Sequence, residues 1–401
     1  LSADPGKIRL LEGTTYLDPF AAYTWLREHS PVHWDEEGEV WGLFRHAEVM
    51  FASKHPALFS SQRNGSRPDS PALPSMINLD DPVHNLRRRL VYRGFTPRAV
   101  LEHEPFVRGL VTELIDAVAA LGRCDFVADL AGPLPMLVIG ELLGVRREDR
   151  MRLQRWSDAM IEATRSDAPP DVAERAARVF AEYSDYHRDV AAQRRERPQQ
   201  DLVSVLVQAQ IDGRGLKEDE ILHESLLLLV GGNETTRNVL SGGMEALIRN
   251  PDQRVRLLRD PSRIPLAVEE LLRWVSPISN MNRTATQDLE IRGRSVRKGD
   301  KVLLMYASAN RDEQVFERPE RLDVERDPNP HVAFGGYGPH FCLGASLARL
   351  ELRVLFEELL RRLPDMELAE PGPLEVTPSN FIRGLRRMPV EFTPTTPLLS
   401  G

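Results

Sequence analysis

The chain has 401 residues, 41% hydrophobic and 28% charged, with a net charge of −8 at pH 7, which places it among ordinary globular proteins with ample material for a core. The acidic balance excludes a nucleic-acid binder held by bulk positive charge, and apolar runs such as Leu226–Val230 are far too short to span a membrane. Two cysteines, Cys124 and Cys342, exclude a disulfide framework, a four-cysteine zinc site and a self-contained iron–sulfur cluster. With no basic-then-apolar leader at Leu1-Ser2-Ala3, the expectation is a cytoplasmic enzyme.

In chain order, Val32–Trp34 and Val40–Phe44 read as short strands. Pro97–Leu121, Pro133–Leu143 and Asp171–Arg194 read as helices. Leu216–Asn250 is the strongest helix, about nine turns, stopped by Asn250-Pro251. Arg263–Val275 is a further helix, and Asp288–Ile291 and Lys301–Met305 are strands. A long amphipathic helix runs from about Cys342 to Arg362, and Val390–Phe392 is a last strand. The Pro-rich stretches Arg67–Pro74 and Asp167–Asp171 interrupt the helices, as plain surface loops or as flaps beside a pocket. Neither a repeat nor a long polar linker divides the chain, so it reads as one large, mainly α domain with a small sheet.

The segment His331 to Gly344 is the most informative. Gly335, Gly336, Gly338 and Pro339 make a tight loop, and Cys342 follows at the start of a long helix. The unpaired N–H groups and positive dipole end of a helix favour an anion there, and so favour a thiolate. Gly344 leaves that face bare for something flat and large. A buried structural cysteine is the plain alternative. A dinucleotide loop fails because Phe341 stands where G-x-G-x-x-G needs its third glycine, and a hydrolase elbow fails at Ala348.

The long helix carries Gly231-Gly232-Asn233-Glu234-Thr235-Thr236 in its apolar centre. Each interior glycine costs roughly 1 kcal/mol against alanine, and the polar groups need partners or a task. They mark either a kink with a back-bonded threonine or a proton-delivery station. Glu270 and Arg273, three apart, share a helix face and can pair.

Taken together these residues carry a resemblance. Glu270 and Arg273 match an E-x-x-R pair, Gly231–Thr236 an A/G-G-x-D/E-T-T/S helix motif, and Gly338-x-His340-x-Cys342-x-Gly344 a haem-binding loop. The sequence resembles the bacterial soluble cytochromes P450, the haem-thiolate monooxygenases, over nearly its whole length. The resemblance implies a mainly α cytochrome P450 fold as a single domain over 1–401, with a helical body at about 83–280 and 342–363 and a β-rich part at about 30–45, 285–306 and 373–393. It places haem b between the long central helix and the helix after the cysteine loop. One departure stands out: the family's phenylalanine seven residues before the cysteine is here Gly335, with Phe334 one residue earlier. The loop carries an extra residue, which leaves open whether Phe334 or Tyr337 packs beside the sulfur.

By resemblance, Cys342 is the iron ligand, and His84, Arg88, Arg283 and His340 neutralise the haem propionates. Thr235 holds oxygen by hydrogen bonds, Glu234 relays protons, and Glu270 with Arg273 supports the fold. Leu73, Met76, Ile77, Leu227, Val230, Gly231, Ile278, Met281, Phe381 and Ile382 occupy pocket-lining positions and imply a hydrophobic substrate. O2 is the co-substrate, and electrons come from an external ferredoxin and ferredoxin reductase. Arg87, Arg89, Arg93 and Arg349 are either a docking patch for that ferredoxin or a solvated face. Ser75–Pro97 and Gly231–Asn250 are similar to actinobacterial sterol side-chain hydroxylases, which points to terminal hydroxylation of cholesterol or cholest-4-en-3-one and further oxidation to the acid. A fatty-acid or terpene hydroxylase and a non-catalytic haem-thiolate sensor share these motifs. A peroxygenase is disfavoured by the Glu234-Thr235 acid–alcohol pair.

Overall fold

The computed structural model describes residues 8–69, 72–163 and 169–398. Helix Glu218–Arg249 runs 32 residues without a break, about 48 Å at 1.5 Å per residue. Its two central glycines do not interrupt it. Gly232 admits the Ile139 side chain of helix Pro133–Leu142, which lies 3.1 Å from where a Cβ would stand. The Thr235 hydroxyl donates to the Gly231 carbonyl at 2.8 Å, so the helix absorbs that polar group internally.

The expected helix Pro97–Leu121 is two, Pro97–Glu102 and Glu104–Ala119. Pro105 has no N–H to continue the ladder across His103. Pro170 opens helix Pro170–Glu196, a first-turn place where a missing N–H costs nothing; Asp167 and Ala168, the start of that Pro-rich stretch, lie outside the described residues. Helices Phe20–His29, His46–Lys54 and Val83–Tyr92 escape the periodicity reading. In the last of these the buried face carries His84 and Arg87, which breaks the apolar stripe.

Five short strands form one sheet in the order Val32–Asp35, Val40–Leu43, Lys301–Leu304, Met281–Ala285, Phe59–Ser60. Only the Val40–Leu43 and Lys301–Leu304 pair is parallel. Met281–Ala285 lies ahead of the expected β-rich range because Asn282, Arg283 and Thr284 look like a loop. They are nonetheless buried, and Asn282 Nδ2 donates to the Gly65 carbonyl at 3.0 Å. A second sheet joins Glu367–Leu368, Pro389–Glu391 and Arg123–Asp125.

Helix Ile264–Val275 ties these parts together. Glu270 and Arg273 are both fully buried and pair through two bonds of 2.7 and 2.8 Å. The carboxylate also accepts from the Asp323 N–H at 2.9 Å, Arg326 Nε at 3.0 Å and Asn329 Nδ2 at 3.1 Å. The guanidinium donates to the carbonyls of Asn310, Pro319 and Arg321. Glu269, one residue earlier and not singled out from the sequence, receives both Arg349 Nε and Nη2 at 2.7 Å and His331 Nε2 at 3.0 Å. Burial alone would raise the Glu269 carboxyl, but Arg349 and His331 outweigh it and hold the group down at about 2.

A depressed folded-state value stabilises the fold above the ordinary carboxyl range, and that contribution disappears as pH falls through about 2. Glu269→Gln is expected to lower unfolding free energy by about 3 kcal/mol at pH 7. Urea denaturation of both proteins should show that gap constant from pH 7 to 5 and shrinking below. A gap that widens in acid would remove Glu269 from this role.

Candidate functional site

The cysteine loop is shaped by close approach to helix His46–Lys54. A Cβ on Gly338 would land on the Ser53 carbonyl oxygen, and Gly335 has φ +90°. Tyr337 adopts φ +56° and is 53% exposed, stacked on Phe341. Phe334 turns inward: the Arg349 guanidinium lies 4.6 Å from its ring centre, and its carbonyl accepts the Cys342 N–H at 2.9 Å. Phe334 thus reaches the cysteine through its backbone, and both its ring and that of Tyr337 lie against Phe341.

Helix Ala345–Arg362 starts three residues beyond Cys342, so the cysteine sits in the turn before the helix and not in its first turn. Its side chain is exposed. Desolvation by the surrounding protein raises the thiol, and the Gly344 N–H with the Arg88 and Arg349 guanidinium groups only partly draws it back. A metal ion bound there would remove the proton outright. The Gly344 and Gly231 Cβ positions both front open space, so the cysteine turn and the central helix each present a bare surface.

Three separate elements bring four basic side chains together: His84 and Arg88 from helix Val83–Tyr92, Arg283 from strand Met281–Ala285, and His340 from the loop. The two imidazoles lie 4.1 Å apart. Arg88 donates to the Phe341 carbonyl at 2.6 Å and Arg283 to the Asn282 carbonyl at 2.7 Å. Among the described residues neither arginine has a carboxylate partner within ion-pair distance. Burial, with Arg283, His84 and Arg88 close by, drives the His340 imidazole down to about 2. Burial lowers His84 too, against the pull of Asp81, whose carboxylate lies 3.2 Å away. Two guanidinium groups without carboxylate partners, flanked by two imidazoles able to donate hydrogen bonds, call for an anion. Two carboxylates of a flat cofactor lying beside Cys342 satisfy it, so the residues present fit a haem.

On the central helix, Thr235 and Glu234 point into different surroundings. Thr235 is half-buried on the Gly231 side, while Glu234 is buried, 3.3 Å from Arg237 Nη1, which also reaches Asp158 at 3.1 Å. Burial raises the Glu234 carboxyl, with Arg237 opposing. Of the expected pocket residues, Ile278 and Ile382 meet in an antiparallel bridge, and Phe381 lies under the Arg67 guanidinium at 4.7 Å. Leu227, Val230, Met281 and Ile77 are half-buried. Met76 belongs to the main core cluster against which Leu227 and Val230 also pack, and Leu73 is 45% exposed. Arg87 and Arg349 are not free surface charges: Arg87 is buried against Glu220 and Glu224, and Arg349 is held by Glu269. Of the four expected docking arginines only Arg89 and Arg93 are exposed. Among the described residues no helix is long and apolar enough to cross a membrane.

Comparison with known proteins matches this geometry. The family model "Cytochrome P450" covers residues 74–368. The chain is 48% identical over 394 residues to a steroid C26-monooxygenase of Mycobacterium tuberculosis, spanning 98% of both chains. It is 42% identical over 362 residues to a methyl-branched lipid omega-hydroxylase of the same organism, spanning 88% of this chain and 84% of the relative. Among solved structures, the Mycobacterium marinum cytochrome P450 CYP268A2 in complex with pseudoionone superposes with a TM-score of 0.89 at 36% identity, covering 98% of this chain and 100% of the other. With the accessible cysteine, the basic cradle and the buried Glu270–Arg273 pair in place, the chain belongs to the cytochrome P450 family, the haem-iron monooxygenases that use O2 and electrons from redox partners.

Proposed function

We propose that this cytochrome P450 hydroxylates the terminal methyl of a sterol side chain, cholest-4-en-3-one or cholesterol, and carries it on to the acid. It would do so as a cytoplasmic enzyme holding haem b and fed by a ferredoxin and its reductase. The observation that carries the substrate is the 48% identity, over 98% of both chains, to a steroid C26-monooxygenase. The lipid omega-hydroxylase relative is named for the end of a branched chain, which agrees in position of attack if not in substrate.

Bound haem iron supplies oxygen activation and insertion. The chain's own residues supply the rest. Cys342 offers the sulfur ligand, and His84, Arg88, Arg283 and His340 neutralise the propionates that would otherwise be buried as bare charges. Because the Thr235 proton is committed to the Gly231 carbonyl, its oxygen lone pairs are free to accept a hydrogen bond on the open side. Glu234, whose carboxyl burial raises, holds a proton more readily than a surface glutamate and connects through Arg237 to the half-exposed Asp158. Glu234 and Thr235 share no hydrogen bond, so an intervening water must carry the proton between them.

Cys342→Ser should abolish the red-shifted Soret band of the reduced carbon monoxide complex, whereas Cys124→Ser should leave it unchanged. Persistence of that band would assign the iron to another ligand. In Thr235→Ala, reduced nicotinamide should still be consumed through the partner proteins while much of it is diverted to peroxide. Product per electron pair is the quantity to measure, and undiminished coupling would remove Thr235 from oxygen activation. Cholest-4-en-3-one should convert the ferric protein to high spin with low-micromolar affinity, about 8 kcal/mol, and mass spectrometry should place the first added oxygen on the terminal methyl. A spin shift with a branched fatty acid and none with any sterol would transfer the assignment to lipid omega-hydroxylation.

A further inference from the structure

A cavity of about 340 Å³ opens between the C-terminal part of the central helix, the end of helix Ile264–Val275 and the turn after Ile382. Small-molecule pockets begin at roughly this size. None of its walls belongs to the cysteine loop or to the basic cradle. It backs onto the expected substrate wall: Arg383 follows Ile382 directly, and its N–H donates to the Pro277 carbonyl at 2.9 Å, next to the Ile278–Ile382 bridge.

The cavity's charges are unevenly settled. Arg249 is paired with Glu245 at 2.9 Å and Arg311 with Glu320 at 2.8 Å. Arg311 is further clasped between Phe20 and Trp274, 3.8 and 4.3 Å from their ring centres. Arg383 has no carboxylate within ion-pair distance among the described residues. Its Nη2 makes one long bond, 3.4 Å, to the Leu17 carbonyl, and its Nε is buried without any partner. Burial works against this charge, and Glu245, Tyr23 and Asp18 offset it only from a distance. The side chain is half-buried, with Phe20 5.4 Å from its guanidinium carbon as its ring neighbour, and a guanidinium without a carboxylate partner in such a wall is a binding group for an anion. The ligand that fits carries one negative charge, because Glu245 and Glu320 in the same walls repel a second. It also has a compact apolar body, because Val275, Ala246 and Leu385 complete the lining.

We propose that this cavity is a second ligand site, independent of the haem pocket, that takes a small organic monoanion of the carboxylate class with Arg383 as its charge partner. The proposal does not depend on the sterol assignment. Isothermal titration of the haem-loaded full chain with benzoate, against its neutral isostere benzamide, tests it. Benzoate should bind and benzamide should not. Arg383→Gln should weaken benzoate by at least about tenfold, and Glu245→Gln should strengthen it about twofold to fivefold. An unchanged carbon monoxide spectrum and melting temperature would show that each variant is folded. If Arg383→Gln fails to fold, the Glu245→Gln result decides alone. Absence of benzoate binding, equal binding of benzamide, indifference to Arg383→Gln, or weaker or unchanged binding in Glu245→Gln would each overturn the site.

Discussion

Cys342 can serve an iron only if the turn that carries it stays put, and two adjacent carboxylates on one helix hold it there. Glu270 is a fully buried charge, which would be ruinous alone, but it meets Arg273, Arg326, Asn329 and the Asp323 N–H. Arg273 in turn gathers the carbonyls of Asn310, Pro319 and Arg321. Asn310 then accepts the Val332 N–H at 2.7 Å, just ahead of the cysteine loop. Glu269 reaches the other way, to His331 before the loop and Arg349 after it. The two neighbouring side chains therefore clamp the irregular segment 310–332 and both flanks of the loop to one rigid helix. No element of regular structure does that work, because the loop has almost none.

The second constraint is electrostatic. Four basic groups from three distant parts of the chain converge with little negative charge among them, and their surroundings raise the thiol beside them. Guanidinium groups without carboxylate partners are unfavourable for the polypeptide by itself and would be offset by the two propionates of a bound haem. The same reasoning separates this cradle from Arg87 and Arg349, which look equivalent in sequence but already have carboxylate partners.

Much of this was legible in the sequence because it is local. The Gly-rich loop, the helix of apolar residues around Gly231–Thr236 and the E-x-x-R spacing are all set by neighbours within a few residues, and each was found where expected. What escaped depends on distant contacts. Glu269 has no signal of its own, since its partners lie 62 and 80 residues away. Strand Met281–Ala285 is polar because it lies between sheet partners and the Gly65 carbonyl, not because it is a loop. Arg87 and Arg349 were read as surface charge because nothing local marks a buried ion pair.

The central helix shows how one element serves several of these demands. Its glycines differ in purpose: Gly232 lets Ile139 in, and Gly231 leaves its own side open. Back-bonding of Thr235 to Gly231 uses up the hydroxyl proton, so the residue meets the open side as an acceptor. Glu234, about 100° round the helix, is thereby placed on the side of Arg237 and Asp158, facing a route from solvent. On the proposed mechanism, proton supply at Glu234 and proton acceptance at Thr235 would be separated by the turn of a helix, and a water joining them would be excluded or admitted by whatever lies against Gly231. A large apolar substrate pressed on that glycine would control the relay by its fit, which links the choice of substrate to the efficiency of coupling.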